Sequence, residues 1–357
     1  MLLYLIFFAI AAALLQEYSL RHALDKVTYD TFASKSTVDP GESFEIITRI
    51  SNPKLLPVSF LRVQESLPSE LEPEGDIALR RDSEQCRLTM TTFLRPRQML
   101  ERRFKASIPK RGRYFLRGAT LFGGDFLGLK QTSCYYPISQ ELVVLPSELP
   151  GTNIGRTLGD FLGDMSVTRF IMEDPVLTLG FREYTGREPQ RAISWTQSAR
   201  MGMTMVKNYD HTLDLSATVI LNVEYPDGLP SAHAKIEDCF SAARSVCSIL
   251  EQRKVKYGII TNATSAGAIG LWSQIGDGLG KTHLMTILEG LGRATYSSTG
   301  SFASIMSKAM RHDEAGRYFI VITPSVTESS QTLIQRLSSL KGLKAFVIDT
   351  SRLSKEE

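Results

Sequence analysis

The hydrophobic period of this chain changes once, and the change limits the folds open to it. From about Val27 to Pro146 the apolar runs are short and alternate with a period of two, as from Ser43 to Ile50 and from Arg87 to Phe93. Turn-forming clusters separate them: Asp39-Pro40-Gly41, Ser51-Asn52-Pro53, Pro73-Glu74-Gly75 and Arg111-Gly112. Period two puts one side of each strand in a core and the other in water, so evenly spaced short strands predict an antiparallel β-sandwich. After about residue 213, apolar runs alternate with amphipathic stretches. Segments 217–223, 255–261, 318–323 and 344–348 read as strands, and 232–253, 283–293, 302–311 and 329–340 as helices. Within 232–253, Ile236, Phe240, Ala243, Val246, Cys247 and Leu250 share one face. Strands alternating with helices predict an open, mostly parallel α/β sheet. The fold class is therefore α/β plus β, divided into an N-terminal segment at 1–20, a sandwich at 27–146, a connector at 151–212, the α/β unit at 213–350 and a tail at 351–357.

The N-terminal segment is apolar from Met1 to Leu15. As a helix this length spans ~22 Å, short of a ~30 Å hydrocarbon core, and reaching further through Tyr18 and Leu20 takes in Gln16 and Glu17. We read 1–20 as a single-pass membrane anchor. A cleaved signal peptide is the weaker alternative: Ala11-Ala12-Ala13 supplies small residues, but no Lys or Arg precedes the apolar run. A buried core helix is the third reading. The first basic residues, Arg21 and Lys26, follow the segment, which places the rest of the chain in the cytoplasm by the positive-inside rule. A length of 357 residues suits two globular units besides such an anchor. The net charge of +3 is too small to call for a nucleic-acid partner. Cys86, Cys134, Cys239 and Cys247 form no C-x-x-C pair and have no His at ligand spacing, so reduced thiols are expected rather than disulfides or zinc.

The connector holds the most distinctive stretch, from Phe181 to Trp195 and on to Ser198-Ala199-Arg200. Arg, Glu, Tyr and Trp crowd around a Gly/Pro turn with neither helical nor strand period, as in a loop that makes specific contacts. This pattern of Arg182-Glu183-Tyr184, Gly186, Arg191, Ile193-x-Trp195 and Ala199-Arg200 resembles the signature of the bacterial domain-of-unknown-function 58 family. The segments Lys110-Arg111-Gly112-Arg113-Tyr114 and Gly124-Asp125-Phe126-Leu127-Gly128-Leu129 are similar to those preceding the signature in that family, with Phe126-Leu127 replacing a Pro-Phe pair. The chain also departs at Arg187, where the family has an acid, and at Thr196, where it often has a base. The resemblance implies a von Willebrand factor A-like C-terminal domain, no established enzyme activity and partnership with a MoxR-type AAA+ ATPase. Two roles suit the signature. Arg182, Glu183, Arg191 and Arg200 form a charge network with Tyr184 and Trp195 as buried anchors, or Arg182, Glu183, Tyr184, Arg191, Trp195 and Arg200 form a docking surface of hot-spot composition.

Three further patterns touch on chemistry. A von Willebrand A-like domain often holds Mg²⁺ through Asp-x-Ser-x-Ser after its first strand, since hard cations need charged oxygen ligands. Here Asn222, Glu224 and Pro226 occupy those positions, and Thr323-Pro324 stands where a later Asp belongs, so no metal is expected. The run from Gly276 to Thr282 suggests a P-loop, but the first glycine of G-x-x-x-x-G-K-[ST] would fall on Ile275, and a surface loop is the better reading. Ten basic residues between Arg87 and Arg117 face one acid, Glu101, a solvated basic face or one suited to anionic lipid. No catalytic triad or nucleophile elbow is visible. The sequence thus predicts a non-enzymatic membrane adapter without cofactor, nucleic acid or small-molecule substrate. An outward-facing adhesion module and a nucleotide hydrolase using Lys281 are the alternatives.

Overall fold

The computed structural model describes residues 2–75, 77, 79–81, 85–125, 130–149, 159, 163, 174–186, 188–210, 216–225, 230–266, 273–311, 317–339 and 345–353. It is a mixed α/β structure, mostly strands. Two compact units result, Met1–Ser147 with Leu291–Arg293, and Glu148–Gly290 with Ala294–Glu357, so the connector groups with the α/β unit.

In the first unit, β1 (Thr28–Ala33), β3 (Phe44–Asn52), β8 (Gln98–Ser107) and β5 (Glu72–Pro73) form one sheet in that order. The second sheet runs β2 (Thr37–Val38), β10 (Gln131–Val144), β9 (Gly112–Gly124), β4 (Val58–Pro68), β7 (Gln85–Leu94) and β6 (Leu79–Arg81). All pairings are antiparallel except β2 with β10. Inward residues of both sheets meet in a shared core: Phe44, Ile46 and Phe104 from the first, Leu67, Leu88, Leu116 and Leu142 from the second. Alternation in the sequence therefore reports a half-buried pleat, as expected. The β9–β10 register slips between Pro137 and Gln140. Pro137 lacks an N–H for the ladder, and opposite it Gly118 takes φ +97°, where a Cβ would stand 2.1 Å from the Tyr136 carbonyl oxygen.

Helix α1 covers Leu2–Arg21. Among the described residues no helix is long and apolar enough to cross a membrane, so a span by α1 has no support from the fold; the fold does leave apolar side chains of α1 exposed. The foot of α1 is built into the sandwich. Ser19, Ala23, Leu24 and Val27 are buried, and Gln16 Nε2 donates to Asp125 Oδ2 at 2.5 Å. Lys54 Nζ donates to the carbonyls of His22 and Ala23 at 2.5 and 2.7 Å, meeting acceptors that the end of the helix leaves unpaired.

In the second unit the main sheet runs β16 (Gln274–Gly278), β14 (Lys256–Thr261), β13 (Ser216–Leu221), β18 (Arg317–Thr323) and β19 (Ala345–Asp349). Four strands are parallel and β16 is an antiparallel edge. β13 and β18 are buried along their whole length, which is why they read as continuous apolar runs. Helices Phe302–Met310 and Glu328–Ser339 cover Ile220, Ile260, Phe319 and Val321 in one core. The helix Pro230–Gln252 also packs on β13, β14 and β18, through buried Phe240, Ala243, Val246 and Leu250. The expected strands and helices thus appear within a few residues of their predicted bounds.

Two smaller pieces were not anticipated: β15 (Ala263–Ser265) with β17 (Ala294–Ser298), and β16 itself, which corrects the reading of 276–282 as a surface loop. The buried Arg317 explains the edge strand. It grips Asp277 through two hydrogen bonds, Nη2 to Oδ2 at 2.6 Å and Nη1 to Oδ1 at 3.2 Å, and also donates to Thr218 Oγ1 at 2.9 Å. All four cysteines are free thiols, and burial pushes Cys239 and Cys247 up to about 12, leaving them inert.

Candidate functional site

The signature is a folded hairpin and not an irregular loop. β11 (Asp174–Glu183) and β12 (Met205–Asp210) pair antiparallel, with Phe181 opposite Lys207, Arg182 opposite Val206 and Glu183 opposite Met205. Between them run a 3-10 turn at Gln190–Ala192 and the short helix Trp195–Met201. Its period is hidden because side chain to backbone bonds organise it more than apolar burial does. Ser198 Oγ donates to the Ser194 carbonyl and accepts from the Met205 amide, both at 2.8 Å. The Ser194 amide returns a bond to the Met205 carbonyl at 2.8 Å, and the Tyr184 amide donates to Thr204 at 2.9 Å. Gly202, at φ +68°, ends the helix with a bond to the Ser198 carbonyl at 3.0 Å. Buried Ala192 and Val206 form the small core beneath.

Glu188, which the signature does not single out, locks the 184–188 turn. Its carboxylate accepts from the Thr185 amide at 3.1 Å, Thr185 Oγ1 at 2.8 Å and Arg182 Nη1 at 2.5 Å. Those bonds, Thr185 foremost, hold its carboxyl well below the usual range, at about 2. The Thr185-x-x-Glu188 spacing is that of a capping box, of which the glutamate's half, its bond to the Thr185 amide, is present, and it is the signal that points to this residue.

All six expected docking residues lie on this hairpin. Arg182 and Glu183 end β11, Tyr184 follows half-buried, Arg191 lies in the 3-10 turn, and Trp195 and Arg200 are on the helix. Two parts of the structural-lock reading are corrected. Trp195 is 71% exposed and anchors nothing. Arg182 pairs with Glu188, and among the described residues no ion pair joins Glu183, Arg191 or Arg200 into a network. Trp195 stands out because the backbone bonds around Ser198 complete the hairpin without it. Phe181, Met201 and Met203 are also exposed, giving the hairpin an apolar and cationic surface. Position 187 lies outside the described residues.

A second candidate lies at the carboxyl ends of β13 and β18, where open α/β sheets bind ligands. A cavity of about 290 Å³ opens there between Asn222, Glu224, Phe302, Ser325, Thr327 and Leu333. Asn222 Oδ1 accepts from Asn262 Nδ2 at 2.8 Å and from the Glu224 amide at 3.0 Å, while its Nδ2 donates to Thr323 Oγ1 at 3.1 Å. Both lone pairs of that oxygen are therefore used inside a neutral buried network. Glu224 Oε2 accepts from the Phe302 amide at 2.7 Å, at the head of helix Phe302–Met310. Among the described residues no group of three acidic, His or Cys side chains gathers here or elsewhere as a metal cage. Pro226 lies outside the described residues. Lys281 opens a helix directly after the edge strand, but the Gly280 amide at its head already binds the Glu251 carboxylate at 3.0 and 3.1 Å. A phosphate would meet that negative charge.

No family model matches the chain, and no curated protein matches it. Among solved structures, similarity is found to a cohesin module of a Clostridium perfringens family 33 glycoside hydrolase, at 12% identity over 33% of this chain and 96% of that one, with a TM-score of 0.25. The CARDB domain of a Pyrococcus furiosus protein gives 12% identity, 33% and 92% coverage, and a TM-score of 0.22. A non-cellulosomal cohesin of Archaeoglobus fulgidus gives 15%, 33%, 91% and 0.24. Scores this low carry no conclusion about the activity or partners of this chain.

Proposed function

We propose that this chain is a non-enzymatic adapter, held at the cytoplasmic face of a membrane by α1, that offers the 181–205 hairpin to a MoxR-type AAA+ ATPase. The exposure of Trp195 on a hairpin already complete without it carries the proposal. A large aromatic left in water beside exposed arginines has the composition of a binding hot spot, and a pre-formed hairpin loses little entropy on docking. The α/β unit serves as a degenerate von Willebrand A-like domain. Its sheet order and the amide network at Asn222, in place of a charged cation site, favour that reading.

Membrane attachment is favoured by α1, whose Tyr4, Phe7, Ile10, Leu14, Leu15 and Tyr18 are all exposed. Apolar surface of that extent is unfavourable in water and is relieved in a bilayer. Arg21 and Lys26 set the cytoplasmic orientation. Capture from detergent-solubilised membranes, with and without ATP, tests the reading. Recovery of a cytoplasmic AAA+ ATPase that is lost with Trp195→Ala is the expected result. Recovery of surface or secreted proteins alone refutes it and favours an outward-facing adhesion module.

A further inference from the structure

The end of the sandwich from which α1 emerges is also where two hairpin tips converge. The β3–β4 turn at 53–57 and the β7–β8 turn at 95–97 are tied together there. Asn52 Nδ2 donates to the carbonyls of both Leu56 and Arg95 at 3.0 Å, and the Arg97 amide donates to the Lys54 carbonyl at 3.0 Å. Lys54 in turn holds the carbonyls of His22 and Ala23, so the tips are fixed to the base of α1 and do not move independently of it. Their side chains are unlike those of an ordinary solvated turn. Leu55 is 72% exposed at one tip, and Phe93 and Met99, 56% and 64% exposed, flank the other. Arg95 and Arg97 are exposed between these two, and Arg97 holds φ +54°, a left-handed conformation that an Arg adopts only at some cost. The nearby acid, Asp25, is paired with His22 at 2.5 Å.

We infer that these two tips form a second membrane contact, in which Leu55, with Phe93 and Met99, enters the interface of an anionic bilayer while Arg95 and Arg97 bind lipid phosphates. This deepens the membrane reading of α1 and rests on it. Continuity with the exposed apolar length of α1 selects a bilayer over a protein, and the two arginines select anionic headgroups. A helix tether alone leaves the sandwich free to swivel. A second contact beside the tether fixes the tilt of the sandwich on the membrane surface.

The test uses the full chain reconstituted in phosphatidylcholine vesicles with or without phosphatidylglycerol. In a Cys134→Ser background, which leaves only buried native thiols, single cysteines replace Phe7, Leu55 or Glu74 and carry an environment-sensitive dye. Glu74 is exposed near the far end of β8, away from α1. Lipid-borne nitroxides should quench the dye at 7 and at 55 but not at 74, with quenching at 55 dependent on phosphatidylglycerol. Arg95→Glu with Arg97→Glu should lower residence of the tip on the anionic surface by roughly twentyfold or more, each lost basic side chain counting for about fivefold, and leave quenching at 7 unchanged. Quenching at 7 with none at 55 overturns the second contact and spares the anchor. No quenching at 7 overturns both. Quenching at 55 that ignores lipid charge and survives the arginine reversals overturns the role of Arg95 and Arg97.

Discussion

Truncating Trp195 separates docking from scaffolding. A Trp side chain offers roughly 150–250 Å² of surface when fully covered. At 71% exposure less than a third of that is buried, about 60 Å², which at ~25 cal/mol per Å² is ~1.5 kcal/mol as an upper figure. Trp195→Ala is therefore expected to cost no more than about 1.5 kcal/mol, with the helix at Trp195–Met201 still closed by Ser198 and Gly202. Capture of the AAA+ partner should fall at least tenfold in the same variant, the loss expected for removing a hot-spot aromatic worth about 2 kcal/mol. Urea unfolding followed by far-UV circular dichroism gives the first quantity, and titration of immobilised protein with the captured ATPase the second. Ser198→Ala serves as the opposite control. It deprives the Met205 amide of its acceptor and should destabilise the hairpin by about 1–3 kcal/mol. A loss above about 3 kcal/mol for Trp195→Ala would mean that the indole is a structural anchor after all. Unchanged stability with unchanged capture would remove the hairpin as the docking site.

Three other perturbations probe the supporting structure. Glu65 is buried in the sandwich, accepting from Thr48 Oγ1 at 2.7 Å and Tyr29 Oη at 3.3 Å, with its second oxygen unpartnered, and burial raises its pKa. The folded state thus keeps a proton that the unfolded chain releases near pH ~4.3. Its contribution to stability is full below that pH and is lost as pH rises through the higher folded value. Glu65→Gln should flatten this slope in pH-dependent denaturation, and an unchanged slope would refute the assignment. Glu188 runs the other way. Its bonds to Thr185 and Arg182 are intact above ~4.3 and are lost as pH falls through about 2, so hydrogen exchange at the Thr185 amide should accelerate across that window in wild type and be fast throughout in Glu188→Gln. Gly123→Ala sets a new methyl 2.9 Å from Leu24 Cγ and Cδ2 and 3.1 Å from Ala23 Cβ. It should cost about 1–3 kcal/mol and expose the Arg21 bond to trypsin, whereas resistance equal to wild type would show that the foot of α1 yields freely.

The elements legible in the sequence were those that bury a continuous or alternating apolar face. β13 and β18 are enclosed on both sides and appear as unbroken apolar runs, and the helix Pro230–Gln252 shows its buried stripe directly. What escaped was held by polar atoms. β16 is a five-residue edge strand with a single apolar residue, Ile275, among glycines and polar residues, kept on the sheet by the Arg317–Asp277 clamp, a pairing of residues 40 positions apart that no local period reports. The hairpin followed the same logic: its residues were singled out by composition, but its shape comes from Ser198 and Glu188 bonding backbone amides. Composition leaves Trp195 open between a buried anchor and a docking residue, because the sequence around it, Ser194-Trp195-Thr196, has no period that says which way the indole points. Its 71% exposure shows that the indole is left outside.

At the two places where this topology would seat a charged ligand, polar groups that would meet it are already bonded from within the chain. At the carboxyl end of β13, Asn222 spends its oxygen on Asn262 and on the Glu224 amide, and Glu224 takes the amide at the head of Phe302–Met310. At the head of the Lys281 helix, Glu251 takes the Gly280 amide. In each case a carboxylate of the protein holds the position an incoming anion would need, and displacing it would uncover a negative charge beside the newcomer. The proposed recognition surfaces lie elsewhere, where the fold is complete but uncovered: the hairpin around Trp195 and the two tips beside α1. Glu251→Gln should leave partner capture unaltered and should not create affinity for ATP, since the Gln amide oxygen can still occupy the Gly280 amide.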